Sequence, residues 1–313
     1  MKRRSLWIVF GSILLALLLV YAVVSWLFAG LMIAAPAPSL AEERAATGDP
    51  ADFGLPPPEN ITIQSGDVTL SGWYFDNPAE GQCGVMFMHG FVGSRYQALY
   101  WAPLFWERGC DILAYDHRGH GDSSPGFFTY GYFEKEDALA AFRWFQERAG
   151  LAEGQIGVGG VSYGAAIALQ LAPKIPDAPF ILADSSYRSV AGIVGARGQA
   201  QVGRFLARLL VPGVLAIAQM RTGMDAAAVS PETAIADAQM PVLLIHSRTD
   251  DFTPYTHSEA IFANSDQRRT VLHVNEWGSS HAADIGTDFA AYKQLFDTFM
   301  AEFAPAFGLP PVQ

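Results

Sequence analysis

The amino-acid sequence predicts an α/β fold, with a mostly parallel twisted sheet that carries helices on both faces. Short apolar runs rich in Val, Ile and Leu recur along the chain, as expected of strands that are buried on both sides. Each run leads into a segment of helical composition, and this alternation favours parallel strands joined by crossover helices. A long uncharged N-terminal run and a proline-rich acidic stretch precede the repeated units.

The N-terminal residues 1–36 are predicted to form a transmembrane helix that anchors the protein. No charged residue lies between Ser5 and Ala41, whereas a helix needs only about 20 apolar residues to cross a bilayer core. A cleaved signal peptide is the alternative, with small residues at 34–37 as the cleavage site, although signal cores have only about 7–15 apolar residues. Three basic residues at positions 2–4 place the N-terminus in the cytoplasm and the remaining chain outside it, periplasmic or extracellular.

The charge of the chain limits its partners. Its 20 Lys and Arg residues are outnumbered by 31 Asp and Glu residues, which gives a net charge of −11. A protein with this negative net charge is not expected to bind nucleic acid or an anionic lipid surface through electrostatic attraction. The predicted macromolecular contact is therefore the membrane, through the N-terminal helix, and the sequence does not determine the oligomeric state.

The remaining elements follow in order. Residues 37–60 are rich in Pro, Ala and acidic groups, which predicts a linker between the membrane and the domain at 61–313. The domain begins with an alternating pattern around a Gly-Asp turn, as in an antiparallel hairpin. Further apolar runs, each followed by a helical segment, are predicted to contain the remaining strands: CGVMFMHG, CDILAYDHRG, QIGVGGVS, PFILADSS, PVLLIHS and TVLHVNE.

Residues 187–224 interrupt this alternation, because they are helical in composition and contain no strand. Arg204, Arg208 and Arg221 lie among apolar positions, as on an amphipathic helix. We interpret the segment as an inserted helical cap over the carboxyl edge of the sheet. An ordinary crossover helix with a long loop is the alternative.

A glycine-rich stretch, GVGGVSYGAA, surrounds Ser162. It lacks the third glycine of a dinucleotide-binding fingerprint and the lysine of a P-loop. Residues 160–164 instead read G-x-S-x-G between a predicted strand and a predicted helix, which is the setting of a nucleophilic serine on a sharp turn. The small flanking residues leave space for such a turn.

A serine nucleophile needs a histidine to accept its proton and a carboxylate to orient that histidine. Candidates follow in the order Ser, Asp, His, each just after a later predicted strand: Asp250 after PVLLIHS and His281 after TVLHVNE. Asp251 and Asp184 are alternative acids. His273 is a poor alternative base because it lies within a predicted strand.

Together these motifs resemble those of the α/β-hydrolase superfamily, in particular bacterial serine hydrolases of the esterase type with a helical cap. The resemblance covers residues 61–305 and includes MHGF, DHRGHG, GVSYG, HSRTD and GSSH. Two positions depart from the family pattern: Ser247 stands where glycine is usual, and the histidine motif reads G-S-S-H instead of G-x-G-H.

The resemblance implies catalytic roles for Ser162 as nucleophile, His281 as base and Asp250 as orienting acid. It also implies an oxyanion hole made by the backbone N–H groups of Phe91 and Tyr163. It implies no cofactor. We expect His89 to brace its loop, and we do not expect His117 and His120 to bind metal, because no cysteine or carboxylate cluster accompanies them.

The only two cysteines are Cys83 and Cys110, at corresponding starts of two strands that the family fold makes neighbours. Neighbouring strands are within disulfide reach, and oxidation is permitted outside the cytoplasm. A Cys83–Cys110 disulfide is therefore a hypothesis, with two buried thiols as the alternative.

The expected activity is hydrolysis of a carboxylic ester, either a small molecule or a lipid, through an acyl-enzyme. The same residues could also serve a peptidase, a thioesterase or an acyltransferase. A protein of another class, a catalytically idle scaffold or binding module at the membrane, is the further alternative.

Overall fold

The computed structural model describes residues 2–34, 38–79 and 81–309, with the side chains of the first helix from Leu6 onward. One sheet contains eight strands: β1 (Glu59–Ser65), β2 (Val68–Phe75), β3 (Cys83–Met88), β4 (Cys110–Tyr115), β5 (Ile156–Val161), β6 (Ile181–Asp184), β7 (Val242–Ser247) and β8 (Thr270–Asn275). The α-helices are α1 (Lys2–Ile33), α2 (Leu40–Thr47), α3 (Ala102–Trp106), α4 (Glu134–Ala149), α5 (Tyr163–Leu171), α6 (Val190–Thr222), α7 (Pro231–Ala234), α8 (Thr256–Ala263), α9 (Asp284–Thr287) and α10 (Phe289–Phe303).

The strand order is β1-β2-β4-β3-β5-β6-β7-β8. Strand β2 runs antiparallel to both of its neighbours, and every other pair is parallel. The predicted N-terminal hairpin and the mostly parallel sheet are therefore confirmed. All residues of β3, β5, β6 and β7 are buried, as expected of central strands with helices on both faces.

Two apolar clusters fill the two faces of the sheet. One packs α4 and α5 against it through residues such as Phe142 and Ile167, and the other packs α3 and α10 through residues such as Phe105 and Phe296. With both faces covered, the loops at the carboxyl ends of the strands are left to form a site.

Helix α1 contains an apolar stretch of 28 residues, Leu6–Ile33, which is long enough to cross a membrane. Most of its length is exposed, but one face of its C-terminal end is buried. Ala29 and Ile33 are completely buried, in a third apolar cluster that includes Val214 and Ala218 of α6. The C-terminal end of the helix thus packs against the predicted cap, whereas its N-terminal part is exposed.

The segment predicted as a cap, 187–224, contains α6 and no strand, as expected. This helix is interrupted at Gly203, where φ is +82° and ψ is 159°, a conformation outside the helical region. A Cβ atom at Gly198 would lie 3.4 Å from Ala207 Cβ and 3.6 Å from a methyl group of Val211. The two halves of α6 therefore pack side by side, and we call residues 190–222 the cap hairpin.

The segment predicted as a linker, 37–60, is not an extended spacer in the structure. Residues 40–47 form α2, which is capped by reciprocal hydrogen bonds between Ser39 and Glu42, and residues 50–53 form a 3₁₀ turn. Leu55 is buried in the core, and Ser94 donates a hydrogen bond to Glu43. The Ser-x-x-Glu capping box was a readable signal for this helix, although the composition suggested a linker. The predicted boundary at residue 36 lies outside the described residues.

Cys83 and Cys110 are directly opposite each other in the parallel pair β3–β4, with Cα atoms 4.6 Å apart. They form a disulfide, and the hypothesis of a Cys83–Cys110 bond is confirmed. The bond joins the two strands at their first residues, at the opposite end of the strands from the predicted site.

Candidate active site

The predicted site residues lie on loops that leave the carboxyl ends of four neighbouring or nearby strands. Ser162 follows β5, Asp250 lies after β7, His281 lies after β8, and Phe91 lies after β3. Because these strands are parallel, their carboxyl ends share one edge of the sheet, and residues far apart in sequence meet there.

Ser162 occupies a strained turn between β5 and α5. Its φ of +54° and ψ of −108° are unusual for a residue with a side chain. A Cβ atom at Gly160 would overlap the Gly164 backbone, and one at Gly164 would overlap the Met88 carbonyl. The turn therefore requires glycine at both positions, which explains the glycines around the serine.

The structure brings Ser162, His281 and Asp250 into one hydrogen-bonded chain. Nε2 of His281 is 2.7 Å from Oγ of Ser162, and Nδ1 of His281 is 2.6 Å from Oδ2 of Asp250. A carboxylate only accepts, so Nδ1 carries the hydrogen and Nε2 is left to accept the serine proton. This arrangement can perform nucleophilic catalysis with general-base assistance.

Asp250 is held as a carboxylate. Burial raises the pKa of its carboxyl group, but hydrogen bonds from His246, His281 and the Thr253 amide outweigh burial and keep the pKa well below its ordinary value. Its Oδ1 accepts the N–H groups of Phe252 and Thr253 at 2.9 and 2.8 Å. The loop therefore fixes the acid in the ionised form that can orient His281.

The two alternative acids lie elsewhere. Asp251 is exposed, while Asp184 is completely buried, and Ser185 and Tyr292 donate hydrogen bonds to its carboxyl group. Neither is bonded to His281 in the described part of the chain, and Asp250 is the acid that the geometry favours.

Ser247, which departs from the family pattern, has a contact that explains its presence. Its hydroxyl donates to the Ser279 carbonyl at 2.7 Å, and the Thr249 hydroxyl donates to the same oxygen at 2.9 Å. These two bonds join the loop of Asp250 to the loop of His281. A glycine at position 247 would lack one of them.

The backbone around Phe91 and Tyr163 can supply two N–H donors beside Ser162. Tyr163 is the first residue of α5, so its N–H has no partner within the helix. Gly90 lies close to the serine, since a Cβ atom there would be 3.6 Å from Ser162 Cβ. Both Phe91 and Tyr163 line the cavity that contains Ser162.

Three buried histidines hold this backbone in place. Nδ1 of His89 donates to the Gly90 carbonyl at 2.7 Å, and its Nε2 accepts the His117 amide at 3.0 Å. Nε2 of His120 lies 2.8 Å from the Phe91 carbonyl. Burial lowers the pKa of all three rings, so they remain neutral and structural. His89 thus braces its loop as expected.

A mainly apolar cavity of about 210 Å³ opens beside Ser162. Its walls come from the Phe91 loop, from Tyr130, from both halves of the cap hairpin and from the end of α1. The contribution of α1, through Phe28, Leu31 and Met32, is not foreseen from the sequence, because no local pattern indicates which helix an anchor will touch.

Comparisons with known proteins agree with this fold. A sequence model of the α/β hydrolase fold matches residues 85–223. The chain is 28% identical over 218 residues to the uncharacterized protein YqkD of Bacillus subtilis, covering 69% of this chain and 70% of that one. It is 24% identical over 227 residues to the uncharacterized protein YfhR of Salmonella typhi, with 69% and 72% covered.

Solved structures give the same result. An esterase of Pyrococcus furiosus, Pf2001, superposes with a TM-score of 0.65 at 22% identity, covering 82% of this chain and 94% of that one. An acylaminoacyl peptidase of Pyrococcus horikoshii superposes with a TM-score of 0.57 at 17% identity, with 79% and 41% covered. The chain therefore has the α/β-hydrolase fold, and the solved structures with this fold include proteins named as an esterase and as an acylaminoacyl peptidase.

Proposed function

We propose that this protein is a membrane-anchored serine hydrolase that cleaves carboxylic esters. The observation that carries the proposal is the hydrogen-bonded chain from Ser162 through His281 to Asp250, with the serine on a strained turn at the edge of an apolar cavity. A serine that only occupies a crowded turn would not require a histidine that is hydrogen-bonded to an ionised carboxylate, nor two backbone N–H groups that fix that carboxylate.

The reaction takes place in two halves. Ser162 Oγ bonds to the ester carbonyl carbon while its proton moves to Nε2 of His281, and the carbonyl oxygen becomes an oxyanion facing the N–H groups of Phe91 and Tyr163. The carbon–oxygen bond to the leaving alcohol then breaks, and His281 returns the proton to that alcohol. Water repeats the sequence on the acyl-enzyme, which releases the carboxylic acid and restores Ser162.

Three features support an anchor with the catalytic domain outside the cytoplasm. The basic residues at 2–4 precede an apolar stretch long enough to span a bilayer. The disulfide suits an oxidising compartment. The end of α1 is also buried against the cap hairpin, and cleavage of α1 as a signal peptide would expose the apolar surface of the hairpin that α1 covers. Retention in the membrane pellet after an alkaline carbonate wash tests the anchor.

The enzymatic proposal is tested on the full chain in detergent micelles, with p-nitrophenyl esters and peptide anilides side by side. We expect Ser162→Ala to lower ester hydrolysis by on the order of 10⁴-fold or more and to abolish labelling by a fluorophosphonate. Ser265→Ala, a serine away from the site, is the matched control. Equal ester turnover by wild type and Ser162→Ala would overturn the mechanism, and cleavage of anilides alone would replace the ester by an amide.

A further inference from the structure

The end of the N-terminal helix is part of the wall of the candidate active site. Phe28, Leu31 and Met32 line the same cavity as Ser162. Leu31 is at the same time 70% exposed, so it lies at the edge of the cavity. A helix that only tethers a domain has no need to reach its catalytic serine.

Contacts between α1 and the second half of the cap hairpin fix how the two helices run. The Tyr21 hydroxyl donates to the Leu209 carbonyl at 3.1 Å, and a Cβ atom at Gly213 would overlap Tyr21 and Ser25. Further along, Arg221 lies over the Trp26 ring at 4.9 Å. From the first contact to the last, the residue numbers increase in both helices, from 21 to 26 in α1 and from 209 to 221 in the cap hairpin. Residues 204–222 therefore run parallel to α1, and the hairpin tip points towards the N-terminal half of α1.

The length of α1 places this arrangement relative to a bilayer. About 20 helical residues cross the hydrocarbon core, whereas the apolar stretch has 28 residues. Counted from the basic N-terminus, the last eight or so residues lie at the outer membrane interface. These are the residues that include Phe28, Leu31 and Met32, so the cavity opens at the level of the lipid headgroups and upper acyl chains.

The hairpin tip extends past the cavity along α1. Since Leu209 is level with Tyr21, residues 204–209 lie beside α1 on the N-terminal side of the residues that line the cavity. The tip exposes Phe205 at 79% and Leu209 at 53%, and each of them directly follows an exposed arginine, Arg204 and Arg208. Apolar and basic side chains side by side are typical of amphipathic helices that contact a membrane interface.

We propose that the substrate is an acyl ester of a membrane lipid, and that it reaches Ser162 from the outer leaflet through the edge of the cavity at Leu31. The acyl chain lies along the wall made by Phe28, Leu31 and Met32, while the ester carbonyl lies at Ser162. Hydrolysis consumes one water and releases a fatty acid and the deacylated lipid. This inference rests on the proposed ester hydrolysis and specifies its substrate class.

The test uses the full chain reconstituted in vesicles of phosphatidylethanolamine and phosphatidylglycerol, with fatty-acid release as the readout. In parallel, the protein in detergent is assayed on p-nitrophenyl butyrate and palmitate. Leu31→Trp narrows the cavity edge, and we expect it to lower the palmitate-to-butyrate ratio of kcat/KM, and fatty-acid release, by about tenfold. Leu27→Trp is the matched control, because Leu27 is similarly exposed on the same helix at 62% but does not line the cavity.

A second variant acts in the opposite direction. Phe28→Ala enlarges the cavity, and we expect the chain-length preference to move towards longer or bulkier acyl groups. Identical chain-length profiles in Leu31→Trp, Leu27→Trp and wild type would overturn the inference, as would hydrolysis of soluble esters without fatty-acid release from vesicles. The absence of any Ser162-dependent ester hydrolysis would instead remove the proposed function on which the inference rests.

Discussion

At the scale of single residues, His89 is the side chain that best explains the geometry opposite Ser162. The Gly90 carbonyl and the Phe91 N–H belong to one peptide group, and in a trans peptide they point in opposite directions. The hydrogen bond from His89 Nδ1 to the Gly90 carbonyl therefore turns the Phe91 N–H away from the imidazole. His89 is a positioning residue for the predicted oxyanion donor.

We expect His89→Leu to lower kcat by roughly 10²-fold with little change in KM, because a misplaced oxyanion donor weakens binding of the transition state alone. His89→Asn retains a donor near the same place and should recover part of the loss. Since the pKa of His89 is well below its ordinary value, the pH–rate profile should keep its shape in both variants. Steady-state kinetics from pH 5 to 9 measure this, and His273→Leu controls for the loss of a histidine outside the site.

An unchanged kcat in His89→Leu, in a protein that unfolds at the wild-type temperature, would contradict the positioning role. A fall in KM and kcat together would also argue for a different explanation.

Asp184 is a second residue whose environment has a measurable consequence. It is completely buried near Asp284, and burial together with the neighbouring carboxylate raises its pKa well above the ordinary value. The folded protein thus keeps a proton that the unfolded chain releases above about pH 4. The free energy of unfolding should therefore fall as the pH rises from about 4 towards the folded-state pKa.

Asp184→Asn cannot ionise, so its stability should depend less on pH than that of the wild type. We expect the difference in melting temperature between the two to change in favour of the variant as the pH rises from 5 to 8, measured by intrinsic fluorescence in detergent. Asp177→Asn, at an exposed carboxylate, is the control. Parallel curves for wild type and Asp184→Asn would show that Asp184 does not hold the extra proton.

At the scale of elements, the disulfide joins the amino ends of β3 and β4, while the site lies at the carboxyl ends. Replacing both cysteines by alanine removes a cross-link between residues 27 positions apart, which corresponds to about 3.5 kcal/mol in the chain-entropy model. We expect a lower melting temperature with nearly unchanged kcat/KM. Thermal unfolding with and without reductant measures the first, and ester kinetics the second.

Wild type treated with reductant should approach the double variant, and the double variant itself should not respond to reductant. A melting temperature of wild type that is insensitive to complete reduction, with free thiols counted by alkylation, would contradict a stabilising cross-link.

The elements also show why the sequence allowed so much of the fold to be predicted. Strands buried on both faces leave continuous apolar runs, and the turn at Ser162 requires glycines, so both leave local marks in the sequence. The order of Ser162, Asp250 and His281 after successive strands is likewise visible. Helix α2 is not predicted, because residues 37–60 have the composition of a linker and only the capping pattern of Ser39 and Glu42 indicates the helix.

At the scale of the whole molecule, the sequence reveals less. The cavity is built from segments distributed between Phe28 and Thr253, and their meeting depends on packing that no local pattern encodes. The bonds from Ser247 and Thr249 to Ser279 depend on the same long-range packing. The contact between Tyr21 and Leu209 is another example, since each lies in an apolar helix without distinguishing neighbours. The candidate site residues can therefore be named from the sequence, whereas the roles proposed for them depend on contacts that only the fold provides.

The packing of α1 against the cap hairpin has a practical consequence for anyone who produces this protein. A shortened, water-soluble version that begins after the first helix would lack three lining residues and would expose Val214 and Ala218. Its chain-length selectivity would then describe an enzyme with one wall missing. Replacing the first helix by an unrelated membrane anchor would restore the proposed attachment but not that wall, so tests of the proposed activity require the native helix together with the domain.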